Sequence, residues 1–152
     1  MLLSLVVWIG GIIFFAFVVA PAVFTILPTH DLAGKVVGRS LSALHWIGIV
    51  SGIVYLISSL IYSRLSSGFT HPFAARNVLI ILMIAFTAIS LFAITPKMNA
   101  LKADIGVIDN VPVSDSRRVE FNQLHQWSTR LEGGVLLMGL VVVFLTGKTI
   151  SS

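Results

Sequence analysis

The chain has no cysteine, which removes disulfides, thiolate metal ligands and thiol nucleophiles together. Charge is almost as scarce: only 11% of the 152 residues are Asp, Glu, Lys or Arg, against about 25% in an ordinary soluble domain. With 57% hydrophobic residues, such a chain lacks the polar groups to clothe a surface in water, so its solvent is lipid. The formal charge of +4 comes from basic residues scattered among connecting segments. No Lys/Arg run with interleaved aromatics occurs, so nucleic-acid binding has no support. Also missing are a Ser-His-Asp set in a supporting motif, a phosphate-cradling glycine loop and paired carboxylates, which leaves catalysis without a positive sign. The four methionines, at 1, 83, 98 and 138, form no cluster. Copper transport through soft ligands would call for one.

What is present is four long apolar stretches. Crossing a hydrocarbon core of roughly 30 Å takes about 20 apolar residues in a helix, and the stretches cover 1–27, 40–63, 77–96 and 121–147. The first has no basic start and exceeds the apolar core of roughly 7–15 residues of a cleaved signal, so it reads as a retained span. The fourth is free of charge only from Gly133 to Gly147. It crosses only if its helix starts near Ser114-Asp115-Ser116 and carries Glu120, His125, Arg130 and Glu132 with it, so that helices two and four both project on one side. The expected fold is all-α: an integral membrane four-helix bundle in a single domain, 1–152.

Four spans put both termini on one side. That side holds Arg64, Arg76 and Lys148, whereas the other holds Lys35, Arg39, Lys97, Lys102, Arg117, Arg118 and Arg130. The positive-inside rule counts Lys and Arg near the spans. It places the termini on the extracytoplasmic face, and a bacterial inner membrane is the expected location.

The halves of the chain echo each other. Span one ends Phe17-Val-Val-Ala-Pro21 and span three ends Phe92-Ala-Ile-Thr-Pro96; span two opens Leu44-His45-Trp46 and span four Leu124-His125-Gln126-Trp127. This predicts two tandem helical hairpins related by an axis along the membrane normal. Each proline is expected to end or kink its helix. Gly48 and Gly52 form a G-x-x-x-G pair, read first as internal packing and second as a homodimer seam.

Four histidines differ in context. His30 and His71 fall in connecting segments and read as solvated. His45 lies 19 residues before Arg64 and His125 lies 23 before Lys148, about 29 and 35 Å along a helix, so the two share a depth near the cytoplasmic boundary. Ionisable residues at such depth usually face the bundle interior. Two imidazoles on equivalent helices have the chemistry to ligate one haem iron or one metal ion, against the plainer reading that each hydrogen-bonds a nearby carbonyl. His125, Ser128, Thr129 and Glu132 recur at helical spacing on one face. That face suits a cofactor propionate, a proton or an anionic headgroup, or serves as a buried polar seam. The candidate site is therefore His45, His125, Thr129 and Glu132, with His45 and His125 as the metal ligands.

Trp8-Ile-Gly-Gly11, Phe17-Val-Val-Ala-Pro21 with Phe24, Ala33-Gly34 with Gly38, Thr95-Pro96-Lys97-Met98-Asn99 and Phe121-x-x-x-His125-x-x-Ser128 together resemble the four-span DUF4149 family. That family is similar to the eukaryotic transmembrane protein 205 domain, and more distantly to copper-resistance D membrane proteins and the membrane-bound protoporphyrinogen oxidase group, which has haem associations. Where the family tends to carry Asn four residues after the Ser, this chain has Glu132. The resemblance implies a fold and a membrane location, not a reaction. Three functions stay open: a non-catalytic accessory subunit or ligand-binding scaffold among other membrane subunits, a b-type haem protein using His45 and His125, and a copper or other metal-handling transporter.

Overall fold

Proline removes a backbone donor, and its ring collides with the carbonyl four residues back. In the computed structural model, which describes residues 1–151, neither in-span proline ends its helix. The chain inserts one wide, π-helical turn immediately before each. Over Phe15–Val19 the Ala20 N–H donates to Phe15 O; over Ser90–Ile94 the Thr95 N–H donates to Ser90 O. This i−5 bonding re-registers the helix so that it runs on through Pro21 to Ile26 and through Pro96 to Ile105. The Thr95 hydroxyl supplements the second turn by donating to Ser90 O at 2.9 Å. Helix ending at Pro21 and Pro96 is thus corrected: the π turn absorbs the missing donor.

Four long helices result: α1 Leu2–Ile26, α2 His30–Ser67, α3 Ala75–Ile105 and α4 Ser116–Ser151. Their ends are set by local chemistry. Thr29 caps α2 by accepting the Leu32 N–H at 3.2 Å, and Asp31 in the first turn pairs with Lys35 at 2.7 Å. Gly68 closes α2 at φ 76°, a left-handed conformation that glycine adopts without steric penalty. Asp115 caps α4, accepting the Arg117 N–H at 2.9 Å and binding the Arg117 guanidinium at 3.0 Å, which holds its carboxyl below the usual carboxylate range. No strand occurs among the described residues.

The helices form a ring in which α1 packs on α2 and α4, and α3 packs on α2 and α4. The apolar centre contains Leu5, Trp8, Ile9, Ile12, Leu44, Tyr55, Ile80, Met83, Val135 and Val142. The outer face is apolar too, with Leu3, Phe17, Ile61, Leu137 and Phe144 largely exposed, as a lipid-facing surface requires. Gly48 and Gly52 admit the Trp8 ring: a Cβ on Gly52 would stand 2.7 Å from Ile84 Cγ1 and 2.8 Å from Trp8 Cζ3, and one on Gly48 would strike the Trp8 indole. Their smallness therefore serves packing within the chain.

At 38 and 36 residues, α2 and α4 are about 57 and 54 Å long, well beyond the hydrocarbon core. Their polar ends and that of α3 meet on the side away from the N-terminus. There Lys102 lies 5.7 Å over the Phe121 ring, and a Cβ on Gly34 would meet its Nζ at 3.0 Å.

Candidate functional site

Three helices bring polar side chains to one layer inside the apolar zone. α2 supplies His45, 2% exposed, and α4 supplies Glu132, 19% exposed; Nε2 and Oε2 are 3.0 Å apart across the diagonal of the ring. α3 supplies Ser90, whose hydroxyl is 3.1 Å from that of Ser128. Glu132 stands one turn beyond Ser128 on α4, and Thr87 one turn before Ser90 on the antiparallel α3. Both therefore lie at nearly the same level as the imidazole. Glu132 precedes Lys148 by 16 residues, about 24 Å of helix, which puts its carboxyl below the hydrocarbon boundary.

Two atoms of this layer are buried and lack a hydrogen-bond partner among the described residues: His45 Nδ1 and Thr87 Oγ1. An isolated carboxylate in such surroundings is strongly unfavourable, and so is an isolated imidazolium. Joined at Nε2–Oε2, the groups form either an imidazolium–carboxylate or an imidazole–carboxylic acid pair. The two forms have the same net charge and differ by the position of one proton. Adding or removing a further proton changes the charge of the layer, and His45 Nδ1 is its open hydrogen-bonding position.

The four residues singled out in the sequence divide into two places. His45 and Glu132 meet. His125 is exposed on α4, two turns before Glu132, and Thr129 is exposed with its hydroxyl donating to His125 O at 3.0 Å. No contact joins His125 to His45, and no group of three or more His, Asp or Glu suited to a metal ion occurs among the described residues.

A second polar layer, near the terminal end, was not singled out from the sequence. Arg76, 8% exposed, points into the bundle. Its Nε donates to the Ser59 hydroxyl at 3.1 Å, one terminal nitrogen to Thr149 Oγ1 at 2.7 Å and the other to Ser63 Oγ at 3.3 Å. Ser59 donates to Asn77 Oδ1 at 2.8 Å, and Asn77 Nδ2 donates to His71 O at 3.0 Å. Tyr55 and Thr146 join their hydroxyls at 2.6 Å across the bundle. The available signal was an arginine beside Asn77 at the start of an apolar run, with Ser59 and Ser63 spaced one turn apart on the preceding span.

Length, apolar exterior and buried polar layers define a small, four-span integral membrane protein. More narrowly, the chain belongs to the DUF4149 family: the model for this domain of unknown function matches residues 3–106. The match takes in both π turns, His45 and Arg76 and stops before α4, so His125, Ser128 and Glu132 lie outside it. No curated protein and no solved structure matches the chain.

Proposed function

We propose that the protein is a non-catalytic ligand-binding scaffold of the membrane, working as an accessory subunit, and that the His45–Glu132 pair is its binding element. The observation that carries this reading is one ionisable pair held inside the apolar zone by helices from opposite halves of the chain. Ionisable residues at such depth are expensive to keep and characteristically mark proton, ion or ligand sites. The open Nδ1 of His45 and the partial exposure of Glu132 give a small polar ligand or a proton two points of attachment. The subunit role is supported by the first half of α4, where His125, Gln126, Thr129 and Arg130 are exposed and open to a neighbouring membrane protein.

Haem ligation through His45 and His125 would require two imidazoles two turns apart in level, one buried and one exposed, to come together at one iron. Copper handling would rest on these same two imidazoles without methionine support. By the positive-inside count, the projecting ends of α2, α3 and α4 face the cytoplasm.

The reading is tested by purifying the wild-type protein and Glu132→Gln from the same membranes under mild solubilisation, then comparing bound small molecules by mass spectrometry and the optical spectra. The scaffold reading expects a bound species in the wild type that is lost in Glu132→Gln while helicity is retained. Identical contents in the two proteins would overturn it, and a Soret band would transfer the assignment to haem.

A further inference from the structure

A threonine inside a helix commonly donates its hydroxyl to the carbonyl four residues back. Thr25 and Thr129 do so, to Pro21 O at 2.8 Å and to His125 O at 3.0 Å. Thr87 on α3 does not. It is 2% exposed, and its Oγ1 is buried without a partner among the described residues, as is Nδ1 of His45. Buried polar atoms are nearly always bonded, so two orphans in one layer call for a common cause. Ser90 and Ser128 fix the register of α3 against α4 through their 3.1 Å contact. One turn from it towards the terminal end, Thr87 stands at the level of Glu132, whose Oε2 holds His45. The Glu132 carboxyl makes no other hydrogen bond among the described residues, so its Oε1 is open too.

The fold does not demand polar groups at these places. Thr87 stands nine residues before Pro96, and nine before Pro21 stands Ile12, which is buried in the apolar core. Glu132 stands seven residues after His125, and seven after His45 stands Gly52, where the Trp8 ring fills the space. One half of the chain packs these positions with hydrocarbon. The other half sets a hydroxyl and a carboxyl there, beside an imidazole.

Burial in hydrocarbon favours a layer without net charge, and the pair has two such forms. In the imidazolium–carboxylate form both ring nitrogens carry protons. In the imidazole–carboxylic acid form the acid proton lies between Oε2 and Nε2, and the ring proton is on Nδ1. Either way Nδ1 donates and Glu132 Oε1 accepts, while the Thr87 hydroxyl can do both. An anion would meet the carboxyl oxygen, and a cation would meet the Nδ1–H. A neutral hydroxyl group satisfies all three positions. We infer that this layer binds one neutral hydroxyl oxygen between His45 Nδ1, Thr87 Oγ1 and Glu132 Oε1. The inference rests on the reading of the His45–Glu132 pair as the binding element and names the class of ligand it takes. Water has this chemistry and makes about three hydrogen bonds when buried; the hydroxyl of an alcohol or acid arriving from the lipid shares it. Glu132, at 19% exposure, is the open side of the otherwise enclosed pair.

The test is solid-state NMR of the full chain in bilayers of deuterated lipid. The histidine nitrogens and the Glu132 carboxyl carbon are labelled, carbon-bound protein protons are replaced by deuterium, and His45 is assigned by its loss in His45→Leu. The wild type shows a protonated Nδ1 that receives magnetisation from a proton outside the protein. Transfer from water protons identifies water, whereas transfer from carbon-bound protons identifies a lipid-borne alcohol or acid. The transfer falls severalfold in Thr87→Val, which removes one of the ligand's partners at nearly constant shape, and persists in Thr87→Ser. Should Thr87→Val fail to insert, the wild-type spectrum decides alone. An Nδ1 without a proton, a protonated Nδ1 with no transfer from outside the protein, or a transfer unchanged in Thr87→Val overturns the inference. The correlation between His45 Nε2 and the Glu132 carboxyl, read in the same samples, separates the two claims. If it is present, the pair stands although its ligand class is wrong; if it is absent, the pair itself falls.

Discussion

Replacing Glu132 by leucine removes the partner of His45 Nε2 at 3.0 Å and leaves an imidazole, 2% exposed, with neither ring nitrogen bonded. An orphaned buried polar group destabilises by about 1–3 kcal/mol, and breaking a buried ion pair by about 3–5 kcal/mol. Replacing both residues by leucine removes the orphan as well as the bond, and such double apolar replacements are often neutral or stabilising. The double-mutant cycle of His45→Leu, Glu132→Leu and the pair thus distinguishes the two protonation forms. A neutral pair resembles ordinary interhelical hydrogen bonds in membranes, which couple by about 0.6 kcal/mol and at most about 1.7. An imidazolium–carboxylate pair should exceed that, since close charge pairs couple by about 1.5–7 kcal/mol. The assay is reversible unfolding in bicelles or mixed micelles, with each variant followed by tryptophan fluorescence. Additive single substitutions, with coupling below about 0.3 kcal/mol, would refute the claim that these side chains are bonded across the bundle.

Other consequences follow from single features. Gly52→Val drives a side chain into Ile84 and Trp8 at 2.7–2.8 Å and should destabilise by about 1–3 kcal/mol without changing the oligomeric state, measured by unfolding and by light scattering; a changed state with unaltered stability would make this an intermolecular seam. Because the chain has no cysteine, Thr70→Cys and Asn110→Cys each carry a single thiol. An impermeant reagent on intact cells should label the former and spare the latter, and the reverse pattern would invert the orientation. Asp115 has a carboxyl held low by Arg117, so the stability it confers is present above its unfolded-state pKa and is lost as pH falls through the lower folded value. Hydrogen exchange in the first turn of α4 should therefore accelerate only at strongly acidic pH, and Asp115→Ala should show the faster exchange at neutral pH.

The four helices were legible because charge scarcity and unbroken apolar runs have few structural solutions in lipid. The start of α4 at Ser116 was legible too, since Glu132 and Arg130 left no room for a later one. The continuation of α1 and α3 beyond their prolines was not. A π turn is a local change of bonding register that apolar residues such as Phe15–Val19 do not announce. Its repetition at Phe15–Val19 and Ser90–Ile94, at the same spacing from Pro21 and Pro96, matches the sequence echo between the first helices of each half. In the second helices the echo is weaker in structure: His45 is enclosed while His125 is exposed. Helical spacing correctly put Glu132 and His125 on one face, but two turns of rise separate them, and only the packed bundle selects Glu132 as the residue level with His45. Arg76 was missed because a charge tally treats every arginine near a span end as solvated, whereas the hydroxyls of Ser59, Ser63 and Thr149 draw this one inward.

The most direct test of the binding-element claim is solid-state NMR in lipid bilayers, with the His45 ring nitrogens and the Glu132 carboxyl carbon isotopically labelled. The account predicts a through-space correlation between His45 Nε2 and the Glu132 carboxyl, as their 3.0 Å contact requires, and its loss in Glu132→Gln prepared without the carboxyl label. Absence of that correlation in the wild type would contradict it.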